Sequence, residues 1–291
     1  MNPAAFSYHR AGSVQDAIGL LQKHESDGAK LLAGGHSLLP VMKLRLAEPA
    51  HLIDIGDIRD LRGVRLDGAT IVIGAMTTHR AIERDETLKA QCPLLVDMAK
   101  VVGDRQVRAR GTIGGTLAHA DPAADYPAGI LALDAEMVAA GPEGERTIPA
   151  SDFFVGFLTT ALAPEEVLTE VRVPVMAERT GTSYQKLANQ ASGYAVVGVA
   201  AVVTLAADGT CEAARIGITG AGDHATRAPA VEAALVGAKL DDGRVGQACE
   251  KADEGIDLLD DLHASADYRR RVVRGLTRRA VLEAVGRAHA G

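Results

Sequence analysis

The chain has 291 residues, of which 47% are apolar and 24% are charged. A chain of this length leaves room for two domains and can bury a core without help from disulfides or metal ions. Its net charge of −7 and its 3% of aromatic residues argue against nucleic acid as the main partner, because phosphates attract a basic surface and bases stack on aromatic rings.

Three widely spaced cysteines, Cys92, Cys211 and Cys249, predict free thiols in a reducing, cytoplasmic setting. They are too few to hold an iron–sulfur cluster with four cysteine ligands inside this chain. The histidines and cysteines show no metal-ligand spacing, so we expect no metal site. We also expect neither export nor a membrane span, because the sequence shows no charged leader and no long apolar run.

The first third of the chain alternates strands and helices. Ser13 followed by Asp16 predicts a capped helix that continues to about His24. Thr78 is predicted to cap a later helix in the same way. The other elements expected here are strands at residues 30–33, 51–55 and 70–75, and helices from residue 79 and over residues 93–102.

A domain boundary is expected after a strand at residues 170–174, where the segment 176–181 becomes polar. Beyond it we expect strands at 183–187, 194–205 and 214–219, and helices at 229–240, 242–259 and 268–288. The turn at 207–210 predicts an antiparallel hairpin. Strand–helix alternation followed by grouped strands and grouped helices predicts an α+β protein. The last helix carries an arginine-rich stretch that we interpret as a solvent-exposed face, namely Arg269, Arg270, Arg271 and Arg274.

Two glycine pairs, at residues 34–35 and 114–115, each follow a predicted strand. Adjacent glycines permit positive φ angles and let a ligand approach the main chain closely. Successive N–H groups can then hold a pyrophosphate, with the hydroxyls of Ser37, Thr112 and Thr116 as further donors. Neither pair matches a Rossmann or P-loop motif. The spacing alone leaves a simple tight turn as an equal alternative for each pair.

Two longer stretches carry a family resemblance. Residues 33–43, AGGHSLLPVMK, resemble the first flavin-binding stretch of the medium subunits of aerobic carbon monoxide dehydrogenases. Residues 107–127, VRARGTIGGTLAHADPAADYP, resemble their second. The stretches 166–174 and 186–198 continue the match in the same order. The chain is therefore identified as a member of the FAD-binding subunits of molybdenum hydroxylases.

The resemblance implies a fold as well as a ligand. Residues 1–177 are expected to form a vanillyl-alcohol-oxidase-type (PCMH) FAD-binding domain of two α+β subdomains. Residues 178–291 are expected to form a smaller domain, like the flavoprotein C-terminal domain of carbon monoxide dehydrogenase, with a three-stranded antiparallel sheet and helices.

The resemblance also implies a set of residues for non-covalent FAD binding and no catalytic residue. This set is Leu32, Ala33, Gly34, Gly35, His36, Ser37, Leu38, His79, Thr112, Ile113, Gly114, Gly115, Thr116, Ala118, Asp125, Leu168, Lys186 and Tyr194. The amides of residues 32–38 are expected around the pyrophosphate, and residues 112–116 around the pyrophosphate and ribityl chain. His36 is expected to offer ring or backbone contacts without a covalent bond.

Three members of this set have competing interpretations. Asp125 is expected to accept a hydrogen bond from a flavin or ribityl hydroxyl, with a helix cap as the alternative. Lys186 and Tyr194 are expected over the isoalloxazine, where a lysine can steady negative charge and a tyrosine can cover a ring face. The alternatives are a solvated strand end for Lys186 and a core aromatic for Tyr194.

The function implied is that of an oxidoreductase subunit. A small partner subunit with two [2Fe–2S] clusters would pass electrons to FAD, and from there they would reach an external acceptor such as a quinone, a cytochrome or oxygen. A large partner subunit with the molybdenum cofactor would carry the substrate chemistry, and the complex is expected to be a dimer of heterotrimers. Carbon monoxide, a purine, an N-heterocycle and an aldehyde all remain open as substrates.

Two other functions stay open on the sequence. One is a free-standing flavin oxidoreductase of the same fold with its own substrate pocket. The other is a nucleotide-binding assembly protein without redox chemistry.

Overall fold

Three larger β-sheets with their covering helices, and one two-stranded sheet, make up the chain, which a computed structural model describes over residues 2–290. The first two sheets belong to the amino-terminal part and the third to the carboxy-terminal part. The α+β architecture expected from the sequence is confirmed. Within the described residues, no helix has both the length and the apolar character needed to cross a membrane.

The first sheet is parallel, with the strand order β1-β3-β2. Its elements are β1 (Ser7–Arg10), α1 (Val14–Lys23), β2 (Ala29–Leu32), α2 (Leu38–Lys43) and β3 (His51–Asp54). The predicted helix cap is confirmed, since the Ser13 hydroxyl accepts a 3.1 Å hydrogen bond from the Asp16 amide. Helix α1 buries Ala17, Ile18 and Leu21 in the core of this subdomain. The pattern misses β1 because its side chains are mostly exposed and show no apolar face.

The second sheet is antiparallel, with the strand order β4-β5-β10-β6-β7. Its elements and covering helices are β4 (Val64–Asp67), β5 (Thr70–Gly74), α3 (His79–Arg84), α4 (Glu86–Gln91), α5 (Pro93–Val101), α6 (Arg105–Arg110), α7 (Ile113–His119), α8 (Tyr126–Ala132), β6 (Glu136–Gly141), β7 (Gly144–Pro149), α9 (Ala150–Phe153), β8 (Phe154–Gly156), β9 (Thr159–Thr160) and β10 (Val167–Pro174). The short strands β8 and β9 pair with each other. The predicted cap at Thr78 is confirmed by a 3.2 Å hydrogen bond from the Ala81 amide.

The second glycine pair does not follow a strand, so that expectation is wrong. It lies inside α7, and the helix α6 precedes it. The Thr112 hydroxyl caps α7 by accepting from the Gly115 amide at 3.1 Å. A Cβ at Gly114 would come within 2.5 Å of the Ala75 Cβ, so this helix turn packs directly against the end of β5. A glycine here therefore serves close packing.

The third sheet is antiparallel, with the order β11-β12-β13-β14. The elements are β11 (Thr180–Ala188), β12 (Ala195–Leu205), β13 (Cys211–Thr219), β14 (Thr226–Arg227), α10 (Pro229–Leu235), α11 (Asp242–Cys249) and α12 (Ala266–Ala290). The three predicted strands and their hairpin are confirmed, and the structure adds β14 as a two-residue edge strand. Helices α10 and α11 end earlier than predicted, at Leu235 and Cys249. Gly237, two residues after α10, has a positive φ angle of 78°, where a helix cannot continue.

Strand β12 is apolar on both faces because each face is covered. Ala200 and Val202 join the core of the amino-terminal part, while Val199 and Val203 join the core formed with α12. Across this interface the Thr219 hydroxyl lies 2.7 Å from the Pro122 carbonyl oxygen. The two parts of the chain therefore share a packed and hydrogen-bonded boundary.

The arginine-rich stretch of α12 is only partly exposed, so its interpretation as a solvated face is wrong for most of its members. Arg269 is 3% exposed and donates to the carbonyl oxygens of Val196 at 2.5 Å and Gly220 at 2.6 Å. Arg270 and Arg274 are held by the Asp253 carboxylate. Arg271 remains exposed. The arginines hold the helix to the sheet and the preceding loop, which the charge pattern does not reveal.

All three cysteines are buried and unpaired within the described residues. Burial raises the pKa of the Cys92 and Cys249 thiols to about 12 and that of Cys211 to about 11. A thiol that stays protonated is a poor nucleophile and a poor metal ligand. These side chains therefore act as small apolar residues of the cores.

Candidate functional site

A cavity of about 740 Å³ opens between the two subdomains of the amino-terminal part and the connection between the first two strands of the third sheet, β11 and β12. This volume is typical of small-molecule and cofactor sites. Most of the predicted site residues line it, namely Ala33, Gly34, Gly35, His36, Ser37, Leu38, His79, Thr112, Gly114, Gly115, Thr116, Ala118, Asp125, Leu168 and Tyr194. The fold therefore brings together residues that are up to 161 positions apart in the chain.

Three predicted residues lie off the cavity surface. Ile113 is 0% exposed and packs in the apolar core beneath α7. Leu32 ends β2 just before the first glycine pair. Lys186 lies behind Asp125 and reaches the cavity only through that carboxylate. Direct ligand contact from these three side chains is therefore not expected.

The two glycine-containing stretches touch each other at Gly34. A Cβ at this position would lie 2.3 Å from the carbonyl oxygen of Arg110 and 2.8 Å from the Cα of Gly111. Any side chain at residue 34 would push these two backbones apart. The next residue, Gly35, has a φ of 74°, a left-handed conformation that glycine adopts without strain. Both glycines are thus required by the local backbone.

The first stretch presents a row of free donors. The backbone N–H groups of Gly34, Gly35, His36 and Ser37 have no hydrogen-bond partner among residues 2–290. Successive N–H groups that point into a concavity form an anion-binding nest. The exposed His36 ring turns back onto its own loop, with Nδ1 3.2 Å from the Gly34 carbonyl oxygen.

The second stretch does not supply a second nest, contrary to the expectation from its sequence. The amide of Ile113 donates to the Thr77 carbonyl oxygen at 3.0 Å, and that of Gly114 donates to Ala75 at 2.8 Å. The Gly115 amide is taken by the Thr112 hydroxyl, as described above. These hydrogen bonds fix α7 in place and leave the three amides unavailable to a ligand. The second stretch can therefore contact a ligand only through its surface and the Thr116 hydroxyl.

His79 lies beneath this second stretch. It is 2% exposed, stacks on Tyr126 with ring centroids 5.3 Å apart, and places Nε2 3.5 Å from the Thr116 hydroxyl. Burial is the main cause that lowers the pKa of His79 to about 4, and the nearby His36 and Arg108 contribute to the same shift. The imidazole is therefore neutral at physiological pH.

This buried histidine predicts a pH dependence of stability. Its pKa is about 4 in the folded chain and about 6.5 when unfolded, so the unfolded chain binds more protons between these values and stability falls as the pH is lowered. Between pH 7 and pH 4 the free energy of unfolding should lose roughly 3 kcal/mol through this group. The variant His79→Gln should lack that part of the loss in urea titrations of the FAD-free chain.

The matched control is His289→Gln, which changes an exposed histidine near the end of α12. Its pH profile should follow that of the unmodified chain. Parallel profiles for all three proteins would contradict the assignment of a buried, neutral His79.

Asp125 is a buried acidic residue in the wall of the cavity. Its side chain and that of Lys186 are each 6% exposed, and they meet at 2.9 Å. The Tyr184 hydroxyl donates to the same carboxylate at 2.6 Å. Burial raises the pKa of Asp125, while Lys186 and Tyr184 oppose this effect. Two donors on one carboxyl group are the arrangement expected for an ionised aspartate.

The structure excludes the alternative roles that the sequence left open for Asp125, Lys186 and Tyr194. Asp125 stands at the start of α8 but makes no side-chain cap to that helix, so the cap interpretation is wrong. Lys186 is not a solvated strand end, because its ammonium is buried and also donates to the Val101 carbonyl oxygen at 3.1 Å. Tyr194 is 40% exposed at the cavity and is not a core aromatic.

Breaking the buried ion pair should be costly. Lys186→Met leaves the Asp125 carboxylate without its charged partner, and we expect a loss of about 3–5 kcal/mol in the free energy of unfolding measured with urea. The double variant Lys186→Met, Asp125→Asn should recover part of this loss, because it leaves no uncompensated charge.

The control is Lys89→Met, which breaks an exposed ion pair with Glu86 in which the side chains are 44% and 83% exposed. That variant should cost about 0–1 kcal/mol. Equal, small costs for both lysine variants would show that the Asp125 pair is not the strong contact described above.

Several further residues line the cavity without belonging to a recognisable motif. The hairpin of β8 and β9 and the chain after it contribute Leu158, Thr159, Thr160, Leu162 and Pro164. No motif marks this segment, because its position depends on pairing within the fold. Gly103, Ser192 and Gly193 also line the cavity, and these turn-forming residues could have been found as breaks between elements.

Two family models match the chain. One, described as the FAD binding domain in molybdopterin dehydrogenase, matches residues 4–176, and the other, described as the CO dehydrogenase flavoprotein C-terminal domain, matches residues 182–284. The chain belongs to the FAD-binding subunits of the molybdenum hydroxylases. The resemblance found in the sequence is thereby confirmed.

Relatives of this FAD-binding subunit align over almost its whole length. The carbon monoxide dehydrogenase medium chain of Hydrogenophaga pseudoflava is 42% identical, and the alignment covers 97% of each chain. The 6-hydroxypseudooxynicotine dehydrogenase complex subunit alpha of Paenarthrobacter nicotinovorans is 37% identical, covering 99% of this chain and 97% of that protein.

A solved structure agrees equally well with the FAD-binding subunit. It is the carbon monoxide dehydrogenase from Hydrogenophaga pseudoflava that lacks the Mo-pyranopterin moiety of the molybdenum cofactor, with a TM-score of 0.96, 44% identity and 99% coverage of both chains. The expected fold, an FAD-binding domain of two subdomains followed by a C-terminal domain, is confirmed by this likeness. The residues present also fit FAD, because the four free amides of the first stretch suit a diphosphate.

Proposed function

We propose that this chain is the electron-transfer subunit of a heterotrimeric molybdenum hydroxylase. A small subunit with [2Fe–2S] clusters supplies the electrons, a large subunit with the molybdenum cofactor carries the substrate chemistry, and an external acceptor takes the electrons away. The observation that supports this most directly is the cavity that both stretches line, in which the amides of residues 34–37 are free of hydrogen-bond partners among residues 2–290. When bound there, FAD supplies a carrier that takes up and releases electrons singly or in pairs.

The first stretch holds the diphosphate in this proposal. The amides of residues 34–37 donate to its oxygens, and the Ser37 hydroxyl adds a donor from the start of α2. Main-chain donors suit a net acidic protein, because they bind an anion without lysine or arginine. The Thr116 hydroxyl faces the same ligand from α7, and binding is non-covalent.

Asp125 and Tyr194 act at the flavin end. Asp125 accepts a hydrogen bond from a ligand hydroxyl or ring N–H, while Lys186 and Tyr184 hold its carboxylate in one orientation. Lys186 therefore acts as a positioning residue, and its charge is largely compensated by Asp125. Tyr194, half exposed at the cavity, covers one side of the flavin.

The proposal keeps the division into residues 1–177 and 178–291, which the two family matches support because one ends at residue 176 and the other begins at residue 182. The buried cysteines support the assignment of all iron–sulfur clusters to a partner chain. Pairing into a dimer of heterotrimers and a cytoplasmic location complete the proposal. The substrate is chosen by the large subunit, so relatives with similar flavin subunits can serve different substrates.

The role of the first stretch in FAD binding can be tested by adding one methyl group at Gly34. Gly34→Ala would place its Cβ 2.3 Å from the Arg110 carbonyl oxygen and should weaken FAD binding at least tenfold, about 1.4 kcal/mol, measured by quenching of flavin fluorescence. The control is Gly19→Ala on α1, where a Cβ meets nothing within 4 Å. Unchanged affinity in a folded Gly34→Ala chain would contradict the proposed diphosphate site.

A second test separates the proposed role from the alternatives. The isolated chain loaded with FAD should not oxidise carbon monoxide, N-heterocycles or aldehydes with a dye acceptor, and addition of both partner subunits should produce turnover. Turnover by the isolated chain would indicate a free-standing oxidoreductase. Binding of adenine nucleotides without binding of FAD would indicate an assembly protein.

A further inference from the structure

Three histidines from separate parts of the sequence meet on the first subdomain. His9 lies on β1, His24 follows the end of α1, and His51 begins β3. One ring nitrogen from each histidine can be chosen so that all three lie within 4.8 Å of one another. None of the three lines the FAD cavity, so the proposed function leaves this cluster unexplained.

The rings form a stack with unusual polar contacts. The centroids of His24 and His51 are 3.8 Å apart, and those of His9 and His24 are 4.8 Å apart. His9 Nε2 lies 2.9 Å from His51 Nδ1. His24 Nε2 is buried and has no hydrogen-bond partner among residues 2–290. A buried nitrogen without a partner loses the hydrogen bonds it would make in water, which costs free energy. A metal ion that accepts the lone pair of this nitrogen would offset that cost.

The surroundings supply a possible fourth ligand. The Asp27 carboxylate, 58% exposed, lies 3.8 Å from His51 Nε2, whose side chain is 17% exposed. Imidazole nitrogens favour zinc, copper, nickel and iron, and three histidines with one oxygen ligand suit a tetrahedral zinc ion. The half-buried rings and the exposed carboxylate leave a route from solvent to the cluster.

We propose that His9, His24 and His51 bind one divalent ion of the zinc class, with Asp27 or water completing the coordination. The ion would tie β1 and β3 to the end of α1, and so would act on the stability of the first subdomain. A metal ion lies in the plane of each imidazole that binds it, at about 2.0–2.1 Å from the nitrogen. Binding therefore turns the rings out of their stack.

The test uses the full chain after treatment with a chelator. Titration with Zn²⁺ in a calorimeter should show one saturable site per chain, and Co²⁺ should produce the visible absorption of a four-coordinate ion. Zn²⁺ should also raise the melting temperature. The separate variants His9→Gln, His24→Gln and His51→Gln should each weaken Zn²⁺ binding at least tenfold. Replacing a residue that only hydrogen-bonds to a metal ligand already costs this much affinity, so replacing a ligand should cost no less. Asp27→Asn should have a smaller effect.

His289→Gln serves as the matched control, because it removes a histidine remote in sequence and exposed on α12, and it should bind Zn²⁺ as the unmodified chain does. FAD affinity measured in parallel should stay unchanged in the folded variants, which separates this site from the flavin site. Absence of a saturable site in the unmodified chain would overturn the proposal. So would Zn²⁺ binding by all three cluster variants that is as tight as binding by the unmodified chain, which would identify the rings as a metal-free stack.

Discussion

The contact between Gly34 and the backbone of Arg110 and Gly111 is the constraint on which the site depends. Two stretches of chain approach until a Cβ on one would lie 2.3 Å from a carbonyl oxygen on the other. Side chains cannot occupy this contact, so the wall of the cavity here is main chain. Main chain recognises a ligand through N–H and C=O groups, and the free amides of residues 34–37 offer the N–H groups. The chemistry of the site thus follows from its packing.

The third sheet supplies side chains that hold a carboxylate of the cavity, which the first two sheets and their helices otherwise form. It is bonded to the amino-terminal part through Thr219 and the Pro122 carbonyl oxygen, and it contributes Tyr184 and Lys186, which both reach Asp125. An ion pair buried to this degree has a large desolvation cost, and it persists where geometry and extra hydrogen bonds offset that cost. The pair therefore links the orientation of a cavity carboxylate to the docking of the two parts of the chain.

Local signals in the sequence are sufficient for many elements of this fold. Ser13 and Thr78 act as caps because a hydroxyl at a helix start satisfies a free amide whatever lies around it. Long-range effects defeat the same reasoning elsewhere. Arg269 looks like part of a charged surface, yet the carbonyl oxygens of Val196 and Gly220 surround it. The two glycine pairs look equivalent, yet α7 consumes the amides of one and leaves those of the other free.

The histidine cluster is a second case in which local sequence signals fail, because the three residues come together only in the folded subdomain. Metal sites are recognised in a sequence by short spacings within one turn or hairpin, and His9, His24 and His51 have no such spacing. They meet because β1 and β3 pair in parallel, with Ser7 opposite His51, while His24, directly after α1, stacks on the rings of both other histidines. Register brings the rings together, and register is a property of the whole subdomain. Sites of this kind can therefore be found only after the strands have been paired.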